Sequence, residues 1–121
     1  MMKLNSIYVS TQNFARAKKW YEEVLFERGP DSTTDRFVFW KLGEVHFGVF
    51  NPEVAEEDVV FGNNCVPNVE VNDADALHDR LANQGVDIIM PLNNVNGTRI
   101  FQCHDPEGNV LEFYQWIEKP T

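Results

Sequence analysis

A chain of 121 residues with 43% hydrophobic and 24% charged side chains has the composition of one ordinary globular unit, large enough for a single core. Its formal net charge of −9 opposes polyanions, so nucleic acid and anionic membrane surfaces are set aside as partners. No apolar run approaches the roughly 20 residues of a membrane span, and Met1–Ser6 lacks the apolar stretch of a signal peptide. Cys65 and Cys103 form no CxxC or zinc spacing, and a cytoplasmic, reduced location is expected.

Leu4–Thr11 alternates, with Ser6, Tyr8 and Ser10 on one face and Ile7 and Val9 on the other, which predicts a strand. Asn13 then caps a helix whose apolar stripe runs Phe14, Ala17, Trp20, Tyr21, Val24 and Leu25. Phe26–Asp31 reads as a short strand, followed by a polar turn over Ser32–Asp35. Arg36–Leu42 and Val45–Phe50 form a hairpin around Gly43-Glu44. Residues 52–64, with Pro52, the acids Glu53, Glu56, Glu57 and Asp58, and Gly62, read as a linker.

The second half repeats the pattern. Cys65–Val71 is a predicted strand, Asp73 caps a helix carrying Ala74, Leu77 and Leu81, and Gly85 ends it. His78 falls on the helix's solvent side. Asp87–Leu92 is expected to stop near Pro91, and Asn93–Gly97 to turn. Thr98–His104 and Val110–Trp116 form a closing hairpin around Asp105-Pro106-Glu107-Gly108-Asn109, a run of turn formers. If His104 pairs with Val110, Gln102 lies opposite Glu112 and Ile100 opposite Tyr114. That places a carboxylate in the middle of a strand. Superposing Asn13 on Asp73 gives an offset of 60, which also superposes the core positions Ala17 on Leu77 and Tyr21 on Leu81. The chain is a tandem repeat.

The segment DPEGNVLEFYQW and this repeat resemble the vicinal oxygen chelate superfamily, which includes glyoxalase I, bleomycin-resistance proteins and extradiol dioxygenases. The resemblance implies an α+β fold of two tandem βαβββ modules, forming a curved, trough-like mixed sheet with helices outside. Module one would cover about residues 1–51, the linker 52–64 and module two 65–121, as a single domain. One departure is Val24-Leu25-Phe26-Glu27, where the family usually has a Gly after the Leu.

In metal-dependent members, four inward side chains bind one divalent ion. Carried over position by position, the resemblance puts Ser6, Gly48, Val66 and Glu112 there. One of four is a ligand, which favours binding over catalysis and implies no cofactor. The alternative is a metal-dependent lyase, isomerase or dioxygenase-like enzyme. It would use Glu112 as base, His104 as acid or ligand, and one divalent ion held by His46, His104 and Glu112. Alternation lines the trough with Tyr8, Phe37, Phe39, Phe50, Tyr114 and Trp116, if Arg36–Leu42 keeps that parity. Ser6, Ser10, Asn68, Gln102 and His104 supply polar points, and Glu70 and Glu112 anionic ones. Such a surface suits a flat or cationic small molecule. The structural alternatives are that these aromatics fill a core and that Glu112 only accepts from Gln102. The metal-free antibiotic-binding members of the family follow the binding scheme, and the resemblance also implies a homodimer.

Overall fold

A computed structural model describes residues 5–55, 61–62 and 65–119. Its first half contains β1 (Ser6–Ser10), α1 (Phe14–Trp20), β2 (Ser32–Thr33), β3 (Phe37–Leu42) and β4 (Val45–Phe50). A short helix α2 (Pro52–Ala55) stands at the start of the expected linker, whose acids Glu56, Glu57 and Asp58 lie outside the described residues. The second half contains β5 (Asn68–Glu70), α3 (Ala74–Asn83), β6 (Ile88–Val95), β7 (Thr98–His104) and β8 (Val110–Trp116). Each half builds one four-stranded mixed sheet, ordered β1-β4-β3-β2 and β5-β8-β7-β6. In both, the strand before the helix runs parallel to the last strand of the half. The fold is α+β, with two open sheets.

One face each of β1, β3, β4, β7 and β8 feeds a common core. Val9, Val38, Trp40, Phe47 and Val49 pack with Ala17, Tyr21 and Leu25 of the first half, and with Leu81, Phe101, Cys103, Leu111 and Phe113 of the second. Asn13 and Asp73 cap their helices as their sequences predict, accepting from Arg16 N and Ala76 N at 3.0 Å each. The helix ends differ. The second stops at Gly85, with φ +79°. The first runs on through a π turn over Tyr21–Leu25, in which Phe26 N bonds Tyr21 O at 2.8 Å. Glu27 then takes the left-handed position at φ +56°. Phe26, which stands where the family usually has its Gly, is right-handed at φ −84°, so the left-handed residue is the glutamate after it, beside Arg80 Nε at 3.4 Å.

Three contacts tie the halves together. Asp105, only 4% exposed, accepts from Tyr21 Oη at 2.7 Å, from Asn109 Nδ2 and from the main-chain N–H groups of Glu107 and Asn109. Burial first, and Asp105 second, raise the Tyr21 hydroxyl well above its ordinary pKa. Arg16 reaches Glu107 at 3.0 Å and Arg80 donates to Leu25 O at 2.9 Å.

Four sequence expectations are corrected. Phe26–Asp31 is not a strand, because the π turn and Glu27 occupy its start; the strand is instead the pair Ser32–Thr33 within the expected turn. The strand from Asp87 does not stop at Pro91. It continues to Val95 through two register shifts, which an edge strand tolerates because proline's missing N–H faces no ladder. His78 is half-buried, its ring edge-on to Phe101 at 5.3 Å between centroids and bonded to Asp79 at 2.9 Å. The strand expected over Cys65–Val71 is shorter, and Val66 lies outside it.

Candidate ligand-binding trough

The faces turned away from the core form the candidate site. In the first sheet, register sets Tyr8 beside Gly48 and Gly48 beside Phe39. Neighbouring rows are Ser10–Phe50–Phe37 and Ser6–His46–Lys41. The expected parity is therefore observed: Val38 and Trp40 are fully buried, while Phe37 and Phe39 are half-buried on the other face. The aromatic rings touch one another. Phe37 stacks on Phe39 at 5.1 Å, Tyr8 meets Phe37 edge-on at 5.2 Å, and Phe50 lies 4.8 Å from Phe37. Phe50 is buried beneath them, whereas Tyr8 remains 49% exposed. Phe39 covers Gly48 so closely that a Cβ there would lie 2.5 Å from its ring.

The second sheet carries the matching row in different chemistry. Asn68, Glu112 and Gln102 are aligned across β5, β8 and β7. Asn68 Nδ2 donates to Glu112 Oε1 at 2.6 Å and Gln102 Nε2 donates to Oε2 at 2.7 Å. A carboxylate accepts only, so it fixes which way both amides point. One row along, Tyr114 Oη donates to Glu70 Oε1 at 3.1 Å. Partial desolvation, then that bond, raises the Tyr114 hydroxyl's pKa. Trp116 continues the wall, edge-on to Tyr114 at 5.7 Å. Among the described residues, no basic side chain pairs with Glu70 or Glu112.

Sequence reasoning thus placed Gln102 opposite Glu112, Ile100 opposite Tyr114 and His104 opposite Val110. It missed the Asn68–Glu112 and Glu70–Tyr114 bonds, which depend on the register of the short parallel pair β5–β8. It also missed a cleft of about 500 Å³ between the sheets. This is bounded by Ile7, the β3–β4 hairpin and residues Pro67 to Glu70, and shares only Asn68 and Glu70 with the expected trough wall.

The alternative metal set is not assembled. Among the described residues, no three His, Cys, Asp or Glu side chains gather where they could hold an ion. His46 lies in the Ser6–Lys41 row of the first sheet with its ring edge-on to Phe39, and His104 bonds Asp87 at 2.8 Å. The family positions do not fit a metal either. Gly48 has no donor and lies under the Phe39 ring, and Val66 is apolar, so Glu112 has no second ligand beside it at these positions.

The family model described as Glyoxalase/Bleomycin resistance protein/Dioxygenase superfamily matches residues 67–113. The fold extends the likeness over the rest of the chain. This chain resembles that superfamily in sequence and in fold. A glyoxalase/bleomycin resistance protein/dioxygenase from Nocardioides superposes with TM-score 0.77 at 16% identity, covering 100% of this chain and 87% of that one. A family enzyme from Burkholderia phytofirmans PsJN gives 0.77 at 17% identity, covering 95% and 99%. A glyoxalase-related enzyme from Fulvimarina pelagi gives 0.76 at 14%, covering 95% and 88%. No curated protein matches the chain. At these identities the superpositions establish the glyoxalase fold, and not an activity. Among the described residues, no helix is long and apolar enough to cross a membrane.

Proposed function

We propose that this glyoxalase-fold chain is a metal-free binding protein that sequesters or carries an aromatic or cationic amphipathic small molecule in its trough. The observation that carries the reading is the contrast between the outer faces of the two sheets. A cluster of partly exposed aromatic rings on one sheet accompanies an orientated, uncompensated carboxylate row on the other. Aromatic faces attract flat and cationic groups, and a carboxylate held by two amides needs no reorganisation to receive a cation. The name of the matched family, which includes bleomycin resistance, supports the same class of role. The enzyme reading has less support, since Glu112 and His104 are bonded to different partners and not to each other.

Proflavine, a flat aromatic cation, tests the proposal by calorimetric titration. Binding to the unaltered chain and an affinity lowered about tenfold or more in Glu112→Gln are expected, as for loss of one charge-assisted contact. Equal affinity for both proteins would remove Glu112 from the site. By resemblance the chain is also proposed to work in the cytoplasm as a homodimer, which light scattering at twice the chain mass would support.

A further inference from the structure

The cleft between the sheets is separate from the aromatic cluster of the first sheet. One wall comes from Ile7 of β1 with Leu42, Val45 and Phe47 of the β3–β4 hairpin; the other comes from Pro67 and Val69. These six side chains are apolar, and about 500 Å³ is room for a small organic molecule. Polar groups are few: His46, Asn68 and Glu70. Glu70 retains Oε2 after accepting Tyr114 through Oε1, and no basic side chain among the described residues neutralises it.

The backbone adds acceptors. β5 lies at the edge of its sheet and pairs only with β8. Glu112 N donates to Pro67 O and Val71 N to Tyr114 O, so alternate residues of β5 serve the ladder. The carbonyls of Asn68 and Glu70 therefore belong to the unpaired edge.

We propose that this cleft binds a primary ammonium ion carried on a compact hydrocarbon body. The hydrocarbon fills the apolar interior. The ammonium's three N–H groups meet the Glu70 carboxylate and the edge acceptors. An anion is disfavoured by Glu70, and a quaternary ammonium offers no N–H to donate. The inference rests on the trough reading only through the shared Asn68 and Glu70, and its body-binding surface is separate from the aromatic cluster.

Calorimetric titration with 1-adamantylammonium, 1-adamantanol and trimethyl-1-adamantylammonium tests it. The primary ammonium should bind at least tenfold more tightly than either analogue. Glu70→Gln should bring the ammonium and the alcohol to within threefold of each other. Val45→Trp, at a half-buried position facing the cleft, should weaken all three at least tenfold while proflavine binding persists. An ammonium that binds no better than the alcohol, or whose affinity survives both substitutions, overturns the assignment. Proflavine binding without any adamantyl binding would sink the cleft and leave the trough reading standing. Loss of both in the unaltered protein would defeat both. If Val45→Trp fails to fold, the exposed Glu70→Gln substitution decides.

Discussion

The two halves of this chain share a fold and diverge at one row. In the first, Tyr8, Gly48 and Phe39 lie side by side; at the same places in the second stand Asn68, Glu112 and Gln102. A glycine in one half is what makes room for the Phe39 ring. A glutamate in the other draws two carboxamides onto itself. The two halves therefore share a scaffold, and the side chains on it make one wall apolar and the other anionic. The hairpin turns diverge too. The short Gly43-Glu44 turn is exposed, whereas the second-half turn buries Asp105 against the first half's Tyr21.

That asymmetry can be broken most severely at the buried turn. Asp105→Ala leaves the Tyr21 hydroxyl and two main-chain N–H groups without their acceptor, and should cost roughly 3 kcal/mol. Glu44→Ala in the exposed first-half turn should stay within about 0.5 kcal/mol. Urea unfolding measures both; equal losses would mean that Asp105 does not lock the halves.

A smaller effect is expected at the row itself. Gly48→Ala forces a Cβ into the Phe39 ring and should destabilise the chain by about 1–3 kcal/mol. Phe39→Ala in the same chain should relieve most of that cost, giving a favourable coupling in a double-mutant cycle. Simple additivity would show that the ring is free to move aside.

The gentlest test uses pH. Burial, with Asp105 and Asp87 adding to it, pushes the Cys103 thiol from its ordinary 9.0 up to about 12. Between those values the unfolded thiol is ionised while the folded one keeps its proton, so stability falls as pH rises. Tyr21, raised by burial and by Asp105, acts in the same direction from its ordinary value of 10.0 upward. The unfolding midpoint should decline from about pH 9 upward, and Cys103→Val should reduce the decline. The same burial should leave only the exposed Cys65 reactive with a thiol reagent at neutral pH. Two reactive thiols in the native protein would contradict the buried placement.

The repeat, both helix caps and the closing hairpin were legible because they depend on local pattern, whereas the parity of Phe37 and Phe39 was left open by their all-apolar strand and is set by the register with β4. What sequence missed depends on distant pairing or local strain. The Tyr21–Asp105 bond joins positions 84 residues apart. The cleft is lined by residues 7, 42–43, 45–47 and 67–70, brought together from both halves, and no periodicity records that approach. Glu27 at positive φ, and Pro91 within an edge strand, each break a local rule that tertiary structure overrides.

The most direct test of the account follows the side-chain amide signals of Asn68 and Gln102 by NMR during titration with proflavine. The account predicts that these two signals shift together and in proportion to binding, with the backbone signal of Tyr8 across the trough. Saturable binding that leaves all three unmoved would place the ligand elsewhere and contradict the account.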